Sequence, residues 1–358
     1  MKKLKVGVIG AGGIAQHAHI PSYKKAEGVE IVAISDINRD KLESAAAKFK
    51  IPKTFTGWEK MLEEELDIVS ICSPNAFHAE QSVKAMKAGK NVLCEKPLCL
   101  NEKEVEKVFA AAEETGKKFM GAMPRRFSGE SAVLKEMIQN GYFGEIYYMK
   151  ASYLRRRGIP GLGTWFTSKK LAGGGPMMDI GVHAIDFLVF ITGVSKPELV
   201  TGAAYSKFRD RATDGGWPPA DTRIGNGFIG DMDVEELASG FVRFADGTAL
   251  FVEAGWAGNV EAGSKISILG TKAGIQMPDP EDPKNPVRIY GERKGILEDV
   301  LPVIPKKEPF QEEVNHFIDC VRNNKQPATR KEEILTVTRI IAGIYESAGT
   351  GRPVIYKN

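Results

Sequence analysis

A glycine-rich turn placed directly after an apolar strand constrains this chain more than any other feature. Residues 4–9 (LKVGVI) read as a short buried β-strand, and Gly10-Ala11-Gly12-Gly13-Ile14-Ala15 follows at once in the pattern G-x-G-x-x-A. Gly10 permits the tight turn, Gly12 has no Cβ to keep the backbone away from a pyrophosphate, and Ala15 lets the next helix pack close to the strand. The start of that helix presents N–H groups to an anion. Pro21 is expected to break or kink the helix early.

A second strand, Val29–Ser35, ends in Asp36, 26 residues after Gly10. That is close to the ~20-residue spacing of the acid that takes the ribose hydroxyl in a dinucleotide fold. A carboxylate accepts hydrogen bonds from a diol and repels a 2′-phosphate, so Asp36 predicts NAD in preference to NADP. Arg39 nearby would soften that discrimination. The competing reading of Asp36 is a helix N-cap.

The pattern then alternates between the two periodicities. Helical composition over Arg39–Phe49, Phe77–Ala88 and Asn101–Thr115 is interleaved with apolar runs at Leu66–Cys72, Asn91–Cys94 and Lys118–Met123. Asn101 with Glu104 resembles a capping box, and Gly116 is a C-terminal stop. Strands alternating with helices imply βαβ crossovers and a parallel sheet, so residues 1–124 read as a doubly wound domain. Ligands in such sheets bind beyond the carboxyl ends of the strands. Two polar clusters fall there: Ser73-Pro74-Asn75 with His78, and Glu95-Lys96-Pro97. Ordinary turn chemistry for Ser73 and Asn75, a helix cap for His78 and a solvated lysine for Lys96 are the plain alternatives.

The 358 residues exceed one ordinary domain, and after Met123 the pattern changes. A helix over Glu130–Gln139 is followed by strand-like runs at Ile146–Leu154, Leu199–Lys207, Gly240–Phe244, Thr248–Ala254 and Lys265–Leu269. Ala245-Asp246-Gly247 reads as the loop of a hairpin. Long crossover helices are missing, so the second sheet is expected to be predominantly antiparallel. The predicted fold class is α/β plus α+β: an N-terminal dinucleotide domain over 1–124 and an α+β domain over 125–358. Two closing helices, Phe310–Arg322 and Lys331–Ser347, each carry an apolar face.

The stretch Leu171–Gly193 carries the chemistry of this second part. Gly173-Gly174-Gly175-Pro176 precedes a helix on which Asp179 and His183, four residues apart, share a face. As a metal pair they supply two ligands only, with no further cluster to complete a site. As a cap-and-core pair they would be structural. As an acid/base pair, a histidine that titrates near neutrality is tuned by a carboxylate. Between the first long strand and the glycine run lie Tyr153, Arg155, Arg156, Arg157 and Trp165. Trp165 offers a flat apolar ring and an arginine can bind hydroxyls or an anion; a solvated strand end pairing with acids of another subunit is the alternative for the arginines. Residues 208–232, rich in Gly, Pro, Asp and Arg and containing Trp217, read as a lid, a subunit contact or a surface excursion.

Charge and cysteine usage exclude other classes. Lys plus Arg total 49 and Asp plus Glu 46, a formal net charge of +3, which offers no field for nucleic acid or an anionic membrane. No apolar run approaches the ~20 residues of a membrane span. Cys72, Cys94, Cys99 and Cys320 show no CxxC spacing and read as reduced thiols, so a cytoplasmic protein is expected.

Taken together, Gly10 to Ala15, Asp36, Ser73-Pro74-Asn75 with His78, Glu95-Lys96-Pro97, Arg125-Arg126-Phe127, and Gly173-Gly174-Gly175 followed by Asp179 and His183 resemble the Gfo/Idh/MocA family, the glucose–fructose oxidoreductase and inositol dehydrogenase group. The resemblance implies a Rossmann domain, a C-terminal open sheet used for homodimer or homotetramer formation, a nicotinamide cofactor, and a sugar, polyol or cyclitol substrate. It implies cofactor contacts from Gly10, Gly12, Gly13, Ile14, Asp36, Ser73, Pro74, Asn75, His78, Glu95, Lys96 and Arg125. It implies Lys96, Asp179 and His183 as catalytic residues, which with Tyr153, Arg156 and Trp165 would meet the substrate. No metal is expected, and a cis peptide before Pro97 is. Three functional outcomes fit: a dehydrogenase that releases its cofactor, a sugar-converting enzyme that retains NAD, and a cofactor-binding regulator. The acid–base set argues against the last.

Overall fold

Six strands form the first sheet of the computed structural model, which describes residues 3–208, 232–277 and 286–357. They are β1 (Leu4–Ile9), β2 (Val29–Ser35), β3 (Lys53–Phe55), β4 (Ile68–Ile71), β5 (Asn91–Cys94) and β6 (Phe119–Gly121). All pairs are parallel, in the order β3-β2-β1-β4-β5-β6. The order reverses between β1 and β4, where a doubly wound sheet opens its ligand crevice. Both faces are covered, so β4 is buried throughout and reads as a continuous apolar run rather than an alternating one. Short β3, with only one partly buried side chain, left no such run to detect.

Local chemistry sets the helix ends. Asn38 accepts the Lys41 N–H at 3.0 Å and begins the helix Arg39–Phe49. Asn101 accepts the Glu104 N–H at 3.1 Å, while Glu104 Oε2 reaches back to the Leu100 N–H at 2.8 Å, so the reciprocal cap falls one residue earlier than the usual box. Gly116 ends that helix at φ +63°. Pro21 does not break the helix it follows. Residues Ala15–His19 form a π turn and Ile20–Lys25 continues as α-helix, with Pro21 in its first turn, where a missing N–H is tolerated.

The chain divides into two compact units. The first unit is Met1–Phe127 together with Lys307–Lys331, and the second is Ser128–Lys306 with Glu332–Asn358. The helix Pro309–Asn323, expected to close the second domain, belongs to the first. Its Val314, Phe317 and Ile318 join the cluster formed by Val6, Val8, Ile34, Ile68 and Leu93. Arg322 fastens it by donating to the carbonyls of Glu27 and Gly28, both at 2.8 Å.

Among the described residues the second unit carries nine strands: β7 (Ile146–Leu154), β8 (Pro197–Tyr205), β9 (Leu237–Phe244), β10 (Ala249–Gly255), β11 (Gly263–Gly270), β12 (Ala273–Met277), β13 (Arg288–Arg293), β14 (Ile296–Val300) and β15 (Val354–Ile355). Their order is β14-β13-β12-β11-β7-β10-β9-β8-β15, and only the β7–β10 pair is parallel. Ala245-Asp246-Gly247 makes the predicted hairpin loop between β9 and β10, with Gly247 at φ +88°. One face packs on the helices Val182–Thr192 and Lys331–Thr350. The second of these lies so close that a Cβ at Gly202 or Gly240 would meet Ile344. The stretch Lys169–Thr192 is apolar enough in composition to cross a bilayer, and 83 % of its most apolar 18-residue window is buried. An all-round apolar helix is what a core position requires. Of the predicted 208–232 excursion, residues 209–231, including Trp217, lie outside the described residues.

Candidate active site

In the first unit the polar clusters gather at the carboxyl ends of β1, β4 and β5. Gly10, at φ +93°, needs glycine twice over, because a Cβ would stand 2.6 Å from the Cys72 carbonyl oxygen at the end of β4. Gly12 is the opposite case: its Cβ would meet nothing within 4 Å, which leaves a bare backbone cradle. Ala11 and Ala15 are buried, whereas Gly12, Gly13 and Ile14 face outward. No side chain caps the helix that follows. These residues fit the pyrophosphate of a dinucleotide, which such N–H groups would hold.

Asp36 is tied to the same turn. Its Oδ2 accepts the Ala11 N–H at 2.8 Å and its Oδ1 accepts the Asn38 N–H at 2.8 Å. The cap of the next helix is Asn38, not Asp36. Each Asp36 oxygen keeps lone-pair capacity for a ribose hydroxyl. Arg39 pairs with Glu43 at 2.8 Å on the outer surface.

Lys96 is the only residue of Val92–Cys99 that is not buried, and its peptide with Pro97 is cis. A lysine rising from a buried stretch at a sheet edge is not an ordinary solvated one. Two neighbours expected to touch the cofactor are buried and bonded within the protein interior. Glu95 is buried, with Oε1 2.9 Å from His19 Nε2 and Oε2 accepting the Lys96 N–H at 3.0 Å. His78 is fully buried, with Nδ1 2.8 Å from the Pro97 carbonyl and Nε2 2.8 Å from the Ser73 carbonyl. It braces the loops after β4 and β5 against each other, and burial pushes its pKa down. The Ser73 hydroxyl is spent on Gln81 at 2.6 Å. Pro74 is partly exposed, Asn75 is buried, and Arg125 sits half-buried on the short turn Pro124–Phe127 after β6.

In the second unit the glycine run is explained by what surrounds it. Gly173 closes a short helix at φ +83°, a Cβ at Gly174 would strike the Tyr345 hydroxyl, and one at Gly175 would strike the Glu235 carbonyl. Glu235 accepts the Gly175 N–H at 3.0 Å and the Tyr345 hydroxyl at 2.7 Å. Burial raises the pKa of Glu235 despite these bonds.

This anchored loop leads into a π turn, Met177–Gly181, and then the helix Val182–Thr192. Across Gly174–Val189 every residue is buried except Asp179 and His183. Both are partly open, as are Phe190 and Thr192 at the far end of the helix, and a cap-and-core role does not require an opening at these two positions. Asp179 Oδ2 accepts the indole N–H of Trp256 at 3.0 Å, and Trp256 is fully buried just past β10. Sequence reasoning missed Trp256, Glu235 and Tyr345, since their only signal is contact with residues far away in the chain. Among the described residues no group of three or more His, Cys, Asp or Glu could hold a metal ion.

The expected substrate residues are less uniform. Tyr153 is half-buried on β7, in register with Ala254, two residues before Trp256. Arg157 donates to the Gly258 carbonyl and to Asn259 Oδ1, both at 2.8 Å, and Arg155 to the Gly158 carbonyl at 3.3 Å. Those two arginines brace the strand end, while Arg156 is exposed. Trp165 stacks on Phe166 with ring centroids 3.8 Å apart.

Comparison with known proteins matches this layout. Residues 4–122 fit the oxidoreductase family with an NAD-binding Rossmann fold, and residues 132–276 fit the GFO/IDH/MocA C-terminal domain. The chain belongs to the Gfo/Idh/MocA oxidoreductase family. It is 30 % identical over 358 residues to D-glucoside 3-dehydrogenase of Escherichia coli, covering 98 % of this chain and 97 % of that protein. It is 28 % identical over 265 residues to levoglucosan dehydrogenase of Pseudarthrobacter phenanthrenivorans, covering 71 % and 68 %. A solved levoglucosan dehydrogenase, in complex with NADH and levoglucosan, superposes with a TM-score of 0.84 at 22 % identity, covering all of both chains. Like other members of the Gfo/Idh/MocA family, the protein is an oxidoreductase with an NAD-binding Rossmann unit.

Proposed function

We propose that the protein is an NAD-dependent dehydrogenase that oxidises a secondary hydroxyl of a glucose-type sugar, with a glucoside or an anhydroglucose as the first candidates. The observation that carries the reading is the exposure pattern of Asp179 and His183, the two partly open positions in the otherwise buried run Gly174–Val189. The full-length similarity to D-glucoside 3-dehydrogenase supports the sugar class. Asp36 supports NAD over NADP, because a second anion beside its carboxylate would be repelled.

A bound nicotinamide supplies the hydride acceptor. The chain supplies the proton chemistry. His183 takes the proton of the alcohol, and Asp179, fixed by Trp256, tunes it. Lys96 hydrogen-bonds the same oxygen and stabilises its developing negative charge. The Gly12 cradle and Asp36 hold the dinucleotide by its phosphates and ribose.

Self-association through the open face of the second sheet completes the proposal. Phe241, Leu269 and Tyr290 lie on that face and are 40 %, 38 % and 41 % exposed, while Val242, Ile268 and Ile289 beside them are buried on the other. Multi-angle light scattering returning a monomer would remove this part.

The deciding experiment is NADH or NADPH appearance at 340 nm with D-glucose, methyl β-D-glucopyranoside, levoglucosan, glucose 6-phosphate and myo-inositol, each with NAD and NADP. Turnover with a glucose-type sugar and NAD is expected. A preference for NADP overturns the reading of Asp36. NAD that stays with the protein through ultrafiltration, with no net NADH release, identifies the retaining type of chemistry instead.

A further inference from the structure

One buried titratable group in the first unit has no part in this mechanism. His19 ends the π turn that follows the glycine motif and is 1 % exposed. Its Nδ1 is 2.7 Å from Ser70 Oγ on β4, and its Nε2 is 2.9 Å from Glu95 Oε1. The other Glu95 oxygen accepts the Lys96 N–H at 3.0 Å. A continuous chain of polar contacts therefore runs from the dinucleotide-binding helix, across the ends of β4 and β5, to the backbone of Lys96.

Burial opposes charge on both partners, and their surroundings favour it. Burial lowers the His19 pKa, and the neighbouring Cys72 and Glu95 outweigh it and raise it well above the imidazole range. Burial raises the Glu95 carboxyl, and His19 and Lys96 outweigh it and lower it. A buried ion pair gains little or nothing in stability over an apolar pair of the same volume. Stability therefore does not account for it, whereas orientation does. Neither group reaches the surface to exchange a proton with substrate.

We propose that His19 is a positioning residue for the reaction: by holding Glu95 in one orientation, it fixes the backbone of Lys96 and so the direction in which the lysine is presented. The proposal rests on the reading of Lys96 as the group that meets the alcohol oxygen. A displacement of about 1 Å of such a group costs on the order of 100-fold in rate.

The test uses the full-length protein and the panel sugar with the highest turnover, in His19→Ala, His19→Gln and Lys96→Ala. His19→Ala is expected to lower kcat at least about tenfold, with the sugar KM and the NADH dissociation constant, read by fluorescence, changed less than about threefold. Hydrogen exchange at the Lys96 amide, resolved by mass spectrometry with electron-transfer fragmentation, is expected to accelerate at least about tenfold as its bond to Glu95 loosens. His19→Gln restores most of the turnover, because its amide can donate to Glu95 and accept from Ser70. Wild-type kcat and unchanged Lys96 exchange in His19→Ala, alongside an inactive Lys96→Ala, overturn the proposal while leaving the catalytic reading in place. Wild-type turnover in Lys96→Ala overturns the catalytic reading and the proposal with it. If His19→Ala melts too early to assay, His19→Gln and His19→Asn decide: equal activities at equal melting temperature overturn the proposal, and an active Gln beside an impaired Asn supports it.

Discussion

Trp256 donates its indole N–H to Asp179 Oδ2 at 3.0 Å across 77 residues of sequence. The indole is fully buried, so its one donor has no water to turn to, and the carboxylate is held from beneath while Asp179 itself reaches the surface. A hydrogen bond to a charged group contributes about 1.5–3 kcal/mol. Trp256→Phe is therefore expected to lower turnover about tenfold or more, with a smaller effect on KM. Steady-state kinetics showing unchanged kcat would remove Asp179 from the tuning role.

Lys96→Ala and His183→Ala should each lower kcat by at least about 100-fold, the lower end of an acid–base contribution. NADH binding should survive in both, since the Gly12 cradle and Asp36 are untouched. Near-wild-type turnover in either variant would sink its assignment.

Asp36 holds the Ala11 N–H and is proposed to set the cofactor preference, and one substitution separates the two. Asp36→Asn keeps an acceptor for the Ala11 N–H but loses the charge that repels a 2′-phosphate. The expected outcome is a KM for NAD raised about tenfold or more and a relative gain for NADP, with little change in melting temperature. An unchanged NAD/NADP ratio would mean that selectivity lies elsewhere.

The anchor of the glycine run makes a pH prediction. Glu235 has a folded pKa raised above its ordinary 4.5 by burial. The folded state therefore binds a proton more tightly than the unfolded chain, and stability falls as pH rises from about 4.5 through the raised value. Glu235→Gln keeps a carbonyl for the Gly175 N–H and removes the titration. The variant's melting temperature relative to wild type should rise across that window; a constant difference from pH 4.5 to 8 would contradict it. Gly175→Ala, by contrast, forces a methyl against the Glu235 carbonyl. It should destabilise by about 1–3 kcal/mol in a denaturant titration.

The packing of the helix Pro309–Asn323 is equally open to test. Phe317 is fully buried in the core of the first unit. Phe317→Ala should cost about 3–5 kcal/mol and raise the NADH dissociation constant. If the helix instead belonged with the second unit, NADH binding would be indifferent to it.

Much of this was legible in the residues because it is locally encoded. Strand and helix periodicities, the Asn101 cap, the Gly116 stop and the hairpin at Ala245-Asp246-Gly247 depend on neighbours a few positions apart. The glycine turn and Asp36 are readable because a dinucleotide demands small residues and a carboxylate at a set spacing. The interior bonds of Glu95 and His78 were not legible, for the reverse reason. Their residue types suit a ligand, and only burial shows that their polar atoms are committed to His19, the Lys96 N–H and two loop carbonyls.

The sequence by itself determined a parallel dinucleotide-binding sheet and a second, mostly antiparallel one, and it singled out Lys96, Asp179 and His183 as the groups proposed to act on the substrate. Only the tertiary structure decided what holds them. Trp256 beneath Asp179, Glu235 and Tyr345 around Gly174 and Gly175, His19 behind Glu95, and the helix Pro309–Asn323 on the first core are contacts between residues from 60 to about 300 positions apart. Apolar periodicity shows that a face must be buried and polar chemistry shows that a group needs a partner. Which partner each one finds is settled by the packing of the whole unit, where burial removes water as the alternative.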